Sequence, residues 1–317
     1  MKNNISLCIL LFTVLFLAGC EKNDETTTLP SLAGIGITDP KPFVRVGEEL
    51  AFKLDISDMY TTDNTDPGAL GAIWAFNNGA RDTLSRDLSA SNPTYYVHPD
   101  TLGTFWVNAT VFALNGKYYN GSISTSFQVI DPDIAITGLP EWQPEEIIGN
   151  VSCPVTKVEG LTWMATNLFQ TSSGRDYRDC EVVSEIFGRY YTWEEAQTAC
   201  PDGWRLPTAS EFDEKLGESA GEWMADVKFM NAEMWAYWPQ VSISNVFLFN
   251  ALPTGYIDLT TAKEVFGYQE YACWWTSDDD GDLGVYRYIF VEEPVVKKGK
   301  GSKTSLALNV RCVKETD

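Results

Sequence analysis

Residues 31–131 show the alternation of apolar and polar positions, with a period of two, that is typical of β-strands. The alternation is clearest in residues 105–112 and 118–129. Asn115-Gly116 lies between these two runs, and this dipeptide favours a tight hairpin because both residues tolerate a positive φ. The pattern therefore predicts an all-β domain that ends near residue 131.

Residues 147–317 have a mixed pattern that predicts an α+β domain. Thr192 with Glu195, and Thr208 with Glu211, have the spacing of capping boxes, which predicts one helix after each threonine. Later apolar runs predict strands at 246–252, 273–276, 286–291 and 306–313. Between the two domains, residues 132–146 contain three prolines and several acids without a clear period, which indicates a semi-rigid linker.

Residues 1–19 have the features of a secretory signal peptide. The mainly apolar run from Ile5 to Ala18 is 14 residues long, shorter than the roughly 20 that span a bilayer as a helix. Leu17-Ala18-Gly19-Cys20 resembles the bacterial lipobox. That resemblance implies cleavage before Cys20, attachment of lipid to its thiol, and a short polar tether over residues 20–30. An ordinary signal peptide that happens to end in cysteine is the alternative.

The residues after Cys20 bear on the location of the protein. Lys22 followed by Asn23, Asp24 and Glu25 resembles the surface-export signal of Bacteroidetes lipoproteins. This resemblance implies a lipoprotein of the outer membrane, anchored through its acyl chains and facing the cell exterior.

The charge balance excludes some partners. The chain has 44 acidic and 23 basic residues, for a net charge of −21. Nucleic acids and anionic membrane surfaces are bound through lysine and arginine, so we expect neither as a partner, and membrane contact only through the lipid anchor. His98 is the single histidine and fits a turn between strands. The sequence contains no recognisable catalytic constellation, and we expect neither enzymatic activity, nor a cofactor, nor a metal.

One acidic run, residues 276–282, invites comparison with calcium loops. Against the twelve-residue EF-hand template, however, Thr276 and Arg287 would occupy the first and last ligand positions. An acidic hairpin turn is the preferred interpretation.

The first domain resembles an immunoglobulin-like sandwich of the polycystic-kidney-disease type. The resemblance depends on Val46-Gly47-Glu48, the strand Ile73-Trp74-Ala75-Phe76 and the segment from Leu102 to Val107. It implies a core position for Trp74 and a role as a spacer or a protein-contact unit.

The second domain resembles the Fibrobacter succinogenes major paralogous domain. Six motifs carry the resemblance: Thr162–Leu168, Gly188–Trp193, Cys200–Thr208, Ala251–Tyr256, Trp274–Ser277 and Val310–Lys314. The resemblance implies a C-type lectin-like fold with two helices on a twisted antiparallel sheet.

It also implies a disulfide between Cys200 and Cys312, which occupy the places where lectin-like domains pair the end of the first helix with the last strand. Cys153 with Cys180 is a second candidate pair, which would leave Cys273 unpaired.

Aromatic residues in the second domain suggest a ligand. Trp235, Tyr237 and Trp238 lie in a weakly patterned segment, where exposed rings could stack on sugars, although core packing is the alternative. We therefore expect a non-catalytic surface lipoprotein that binds glycan as an accessory to polysaccharide capture. The alternative is an adhesin or structural lipoprotein that contacts another protein.

Overall fold

A computed structural model describes residues 28–38, 41–77, 81–85, 87–88, 91–148, 151–236, 241–261 and 265–316. The predicted signal peptide, Cys20 and most of the tether lie outside these residues. Within them, no helix is both long enough and apolar enough to cross a bilayer.

The first domain is all-β, as its alternating pattern predicts. Its strands are β1 Leu32–Ala33, β2 Gly36–Ile37, β3 Phe43–Arg45, β4 Leu50–Phe52, β5 Leu54–Asp55, β6 Tyr60–Thr61, β7 Leu70–Phe76, β8 Arg81–Ser85, β9 Tyr95–Val97, β10 Gly103–Ala113 and β11 Gly121–Ile130. Five of them form a sheet in the order β3-β11-β10-β7-β8, in which only the β3–β11 pair is parallel.

The β4–β9 pair packs against this sheet and closes a sandwich core. Phe52 of β4 lies 5.8 Å from Phe127 of β11, measured between ring centroids. Trp74 of β7 is 1% exposed and stacks on Tyr95 of β9 at 5.2 Å, so its predicted core position is confirmed. The two layers are held together by burial of these aromatic faces.

The Asn115-Gly116 dipeptide lies in the connection between β10 and β11. The connection spans residues 114–120 and is longer than the two-residue turn that the dipeptide predicts. Gly116 has a φ of 68°, and the Asn115 side chain accepts a hydrogen bond from the Lys117 amide. The hairpin is therefore confirmed, although its turn is looser than predicted.

The predicted linker 132–146 is folded and docked rather than extended. It contains α1 Pro132–Ala135, β12 Ile136–Thr137 and the start of β13 Glu145–Ile148. Both strands pair with the second domain, β12 with β17 and β13 with β14. The linker prediction is wrong in this respect because apolar residues of the segment join a core.

The second domain consists of short helices and many strands. Its strands are β14 Val151–Val158, β15 Leu161–Met164, β16 Tyr191–Thr192, β17 Lys228–Phe229, β18 Ala232–Glu233, β19 Tyr256–Asp258, β20 Val265–Phe266, β21 Tyr271–Asp280, β22 Leu283–Phe290, β23 Lys297–Ser302, β24 Leu306–Leu308 and β25 Val313–Glu315. Its helices are α2 Glu181–Phe187, α3 Trp193–Ala196, α4 Ala209–Glu211 and α5 Ala220–Trp223, with a 3₁₀ turn at Tyr177–Asp179 and a π-helical turn at Phe212–Leu216.

These strands form four small antiparallel sheets. Their orders are β13-β14-β15-β25, β16-β24-β19-β20, β21-β22-β23 and β12-β17-β18. Between them lies a core with several fully buried aromatic rings: Trp163, Phe212, Trp223, Phe249 and Trp274.

Both capping boxes are confirmed, but the helices that follow them are short. The hydroxyls of Thr192 and Thr208 accept hydrogen bonds from the amides of Glu195 and Glu211. In turn, the carboxylates of both glutamates accept hydrogen bonds from the amides of the same threonines. The first helix gives way to turns after Ala196. The structure therefore does not support the predicted α+β C-type lectin-like fold of two helices on a twisted antiparallel sheet, because strands predominate in this domain.

One predicted strand is absent and one predicted disulfide is present. Residues 246–252 form a loop, because Leu248 and Asn250 have positive φ values that no strand accommodates.

Cys200 and Cys312 are bonded, with their Cα atoms 5.8 Å apart. Cys153 and Cys180 are separate buried thiols in different core clusters, so the second candidate pairing is wrong.

Candidate functional site: a tyrosine cleft

The aromatic residues proposed from the sequence do not form an exposed platform. Trp235 is only 4% exposed, and its indole N–H donates to the Ala225 carbonyl oxygen at 3.1 Å. Its ring joins the core cluster that contains Trp223 and Phe249. The prediction for Trp235 is therefore wrong, because the ring is needed for packing. Tyr237 and Trp238 lie outside the described residues.

The acidic run 276–282 forms the end of the β21–β22 hairpin. The carboxylate of Asp279 pairs with Lys303 at 2.8 Å, and that of Asp280 pairs with Lys300 at 2.6 Å. Asp278 accepts a hydrogen bond from the Ala209 amide at 2.6 Å. Three of the four carboxylates in this run are thus engaged by the protein's own donors, which is consistent with an acidic hairpin turn.

A cleft lined in part by the same two strands, β21 and β22, is the better candidate site. Its walls are the side chains of Tyr256, Tyr271, Tyr286 and Tyr288, and its floor is formed by Cys273, Leu306 and Leu308. We call this feature the tyrosine cleft. Its volume is about 230 Å³.

Strand register brings these residues together. Side chains two residues apart on a strand share a face, so Tyr271 and Cys273 lie together on β21, as Tyr286 and Tyr288 do on β22. Cys273 is directly opposite Tyr288 across the pair. Tyr256 begins β19 in the neighbouring sheet and completes the cleft.

The rings form a continuous array. The centroids of Tyr256 and Tyr271 lie 6.0 Å apart, and those of Tyr271 and Tyr288 lie 6.1 Å apart. Tyr288 and Tyr286 follow at 5.7 Å. Phe290 stacks behind Tyr271 at 4.7 Å and supports it. Such contacts fix the orientation of the rings before a ligand arrives.

Two glycines give the rings their space. A Cβ atom at Gly299 would lie 2.2 Å from Cζ of Tyr286, so this ring lies against the bare backbone of β23. A Cβ atom at Gly267 would lie 2.5 Å from Cδ2 of Tyr271. The shape of the cleft therefore depends on glycine at both positions.

Burial favours the neutral form of three cleft hydroxyls, those of Tyr256, Tyr271 and Tyr286. Burial raises the pKa of Tyr286 to about 12, and it also raises the pKa values of Tyr256 and Tyr271. None of the four cleft hydroxyls has a hydrogen-bond partner among the described residues. By contrast, the hydroxyl of the fully buried Tyr190 donates to the Thr254 carbonyl at 2.6 Å. The cleft hydroxyls can thus both donate to and accept from a ligand.

The floor of the cleft lacks a reactive group. Cys273 is 3% exposed, and burial raises the pKa of its thiol far above the usual range. A thiol that stays protonated is a poor nucleophile. The arrangement therefore suits binding rather than covalent chemistry.

A larger cavity, of about 440 Å³, lies where the two domains meet. Four of its charged residues are already paired: Arg45 forms an ion pair with Glu185, and Lys41 lies 3.8 Å from Glu48. This cavity belongs to the contact between domains, which makes the tyrosine cleft the stronger site.

The sequence contains one pattern that points to the cleft, but it is difficult to notice among the many other aromatic residues of this domain. Tyr286 and Tyr288 have the spacing of two that places side chains on one face of a strand, and Gly299 and Gly301 repeat that spacing on β23. Sequence alone did not reveal that these strands pair.

The fold and the cleft define a two-domain, β-rich protein with an open aromatic site in its second domain. A family model described as the Fibrobacter succinogenes major domain matches residues 156–314. The chain belongs to this family, and the resemblance inferred from its motifs is confirmed.

Other comparisons add little. No curated protein matches the chain. Among solved structures, the CARDB domain of the PF1109 protein from Pyrococcus furiosus, solved in complex with di-metal ions, is similar at 15% identity. The match covers 32% of this chain and 90% of that one, with a TM-score of 0.23.

Proposed function

We propose that this protein is a non-catalytic glycan-binding lipoprotein of the cell surface, an accessory to polysaccharide capture that holds a sugar in the tyrosine cleft. The observation that carries the proposal is the set of four half-buried tyrosine rings on one open face, whose hydroxyls have no hydrogen-bond partner in the described part of the chain. Aromatic faces offer apolar contact to the C–H surface of a sugar ring, and hydroxyls match its polar rim.

The size of the cleft limits what enters it. About 230 Å³ is below the roughly 300–1,000 Å³ of pockets for drug-sized ligands. One sugar unit of a longer chain fits this description better than a whole oligosaccharide does. The rest of the chain would lie along the neighbouring surface.

The membrane anchor is proposed from Leu17-Ala18-Gly19-Cys20, and the surface location from the charged residues that follow. The first domain would then act as a spacer, whether or not it is of the polycystic-kidney-disease type.

We expect Cys20→Ser to move the protein from the membrane to the soluble fraction. We also expect protease added to intact cells to degrade the native protein. A native protein that stays protected would contradict the surface location.

Affinity electrophoresis through gels containing plant or host polysaccharides tests the binding. We expect at least one polysaccharide to retard the native protein. Tyr288→Ala should weaken binding by about tenfold, which corresponds to about 1.4 kcal/mol, because a stacking face is lost. Tyr288→Phe keeps the ring and should lose less.

Tyr96→Ala is the matched control, since Tyr96 is 54% exposed in the first domain, outside the cleft. Gly299→Ala is a second variant, which should displace the Tyr286 ring without removing any cleft side chain. If every polysaccharide leaves the native protein unretarded, the proposed function is wrong.

An adhesin that contacts another protein is the second candidate. Trp142, in the segment that joins the domains, is 78% exposed, and Ile147, directly after that segment, is 72% exposed. Large exposed apolar side chains are typical of protein-contact surfaces. This candidate predicts that a partner covers Trp142 rather than the tyrosines.

A further inference from the structure

The charges around the tyrosine cleft carry information about its ligand. Resting on the proposed function, we infer that the cleft selects an uncharged sugar unit and rejects units that bear carboxylate or sulfate groups. The inference depends on which charged groups surround the cleft, and on which of them are already paired.

Among the residues that the structure describes, the cleft lining contains no cation. It consists of four tyrosines, one cysteine and two leucines. Proteins recognise carboxylate and sulfate groups through arginine, lysine or convergent backbone N–H groups. An anionic sugar in this cleft would lose its hydration without gaining a charged partner, which is costly.

The lysines of β23 and of the turn that follows it are not available as substitutes. The four lysines on and after β23 all form ion pairs within the protein: Lys297 with Glu293 at 3.1 Å, Lys298 with Asp213 at 2.8 Å, Lys300 with Asp280 at 2.6 Å and Lys303 with Asp279 at 2.8 Å. Lys303 also lies over the Trp193 ring, at 4.3 Å from its centroid. Recruiting one of them to a ligand would break an existing contact.

Arg287 is also unavailable. It lies on β22 between Tyr286 and Tyr288, so its side chain points to the opposite face of the strand. There it forms an ion pair with Asp213 at 2.7 Å, and it is 4% exposed.

The carboxylates beside the cleft make its rim negative. Burial is the main cause of the raised pKa values of Tyr256 and Tyr271. The negative charges of Asp258 and Glu270 raise the pKa of Tyr256 further, and that of Glu270 also raises the pKa of Tyr271. Glu270 is exposed and has no ion-pair partner among the described residues. The same field that disfavours a tyrosinate would disfavour an anionic ligand.

Neutral sugar units avoid both costs. Their hydroxyls can exchange hydrogen bonds with neutral tyrosine hydroxyls, and their C–H faces can lie on the rings. The chemistry of the cleft is therefore complete for an uncharged ligand and incomplete for an anionic one.

Matched polysaccharides test the inference by isothermal titration calorimetry on the full mature protein. One pair is polygalacturonate with its carboxyl-reduced form, and another is polymannuronate with its carboxyl-reduced form, since the members of each pair differ only in the carboxylates. We expect the neutral member of at least one pair to bind about tenfold or more tightly than its acidic counterpart. We also expect its affinity to change little between low and high salt.

Glu270→Gln provides an internal check, because it removes one rim charge and leaves the rings in place. It should strengthen binding of the acidic member severalfold at low salt and leave the neutral member unchanged. Asp58→Asn, an exposed acid of the first domain, is the control and should change neither.

The outcomes are distinguishable. Equal or tighter binding of the acidic members overturns this inference and leaves glycan binding intact. Absence of binding to every member overturns the proposed function as well. Binding of the neutral member that Tyr288→Ala leaves unchanged places the bound sugar outside the cleft and also overturns the inference.

Discussion

Arg311 is a fully buried cation with no carboxylate partner among the described residues. Its guanidinium donates to the side-chain oxygen of Asn167 at 2.7 Å, and to the carbonyls of Met164, Phe249 and Asn250. The group also lies 4.4 Å from the centroid of the Phe249 ring. Burial lowers its pKa to about 9, so neutral dipoles and a ring face must compensate its lost hydration.

We expect Arg311→Met to lower the free energy of unfolding by about 3–5 kcal/mol at pH 7. The change leaves several buried oxygen acceptors unpaired, each at a cost of about 1–3 kcal/mol with partial relaxation. Urea unfolding followed by tryptophan fluorescence measures the difference.

Arg205→Met is the matched control, since Arg205 is partly exposed and pairs with Glu211 and Glu315. Its loss should cost about 1 kcal/mol or less. An Arg311 variant as stable as the Arg205 variant would contradict the structural role given to Arg311.

Individual aromatic residues show the limit of prediction at this scale. Trp235 and Tyr288 are both aromatic residues near polar neighbours, yet one is core and the other lines the cleft. Burial depends on strand pairing across the domain, and sequence composition does not contain that information.

At the scale of elements, local chemistry was the reliable guide. The capping boxes at Thr192 and Thr208 were predictable because they involve residues three apart and one hydrogen-bond geometry. The Asn115-Gly116 turn was predictable for the same reason. Each feature is specified within a few residues of chain.

Elements held by distant side chains were not predictable. The loop at 246–252 is held by Thr156, whose hydroxyl donates to the Phe247 carbonyl at 2.6 Å, and by Gln143, which donates to the Leu248 carbonyl at 2.8 Å. These contacts span about a hundred residues of chain, so the apolar run alone predicted a strand.

The Cys200–Cys312 bond is an exception among distant contacts, because a family resemblance supplied it. The bond ties the turn after α3 to the segment before β25, across a sequence separation of 112. Closing a loop of this length stabilises the fold by about 4–5 kcal/mol in the chain-entropy model. It therefore secures the strand end beside the buried Arg311.

At the scale of the whole molecule, the two domains share an apolar cluster. Phe43 of β3 lies 5.7 Å from Phe229 and 6.3 Å from Tyr177, measured between ring centroids, and Ile130 is buried in the same cluster. Arg45 and Glu185 form an ion pair beside it. This contact was not predictable from the sequence, because the residues that form it lie far apart in the chain.

Hydroxyl-radical footprinting read by mass spectrometry tests whether the tyrosine cleft is the site that binds glycan. The native protein is oxidised with and without the polysaccharide that retards it most. We expect the bound polysaccharide to protect four side chains from oxidation, those of Tyr256, Tyr271, Tyr286 and Tyr288. The oxidation of Tyr96 should not change. Bound polysaccharide that leaves the four tyrosines as reactive as before, and protects another surface such as Trp142, would contradict it.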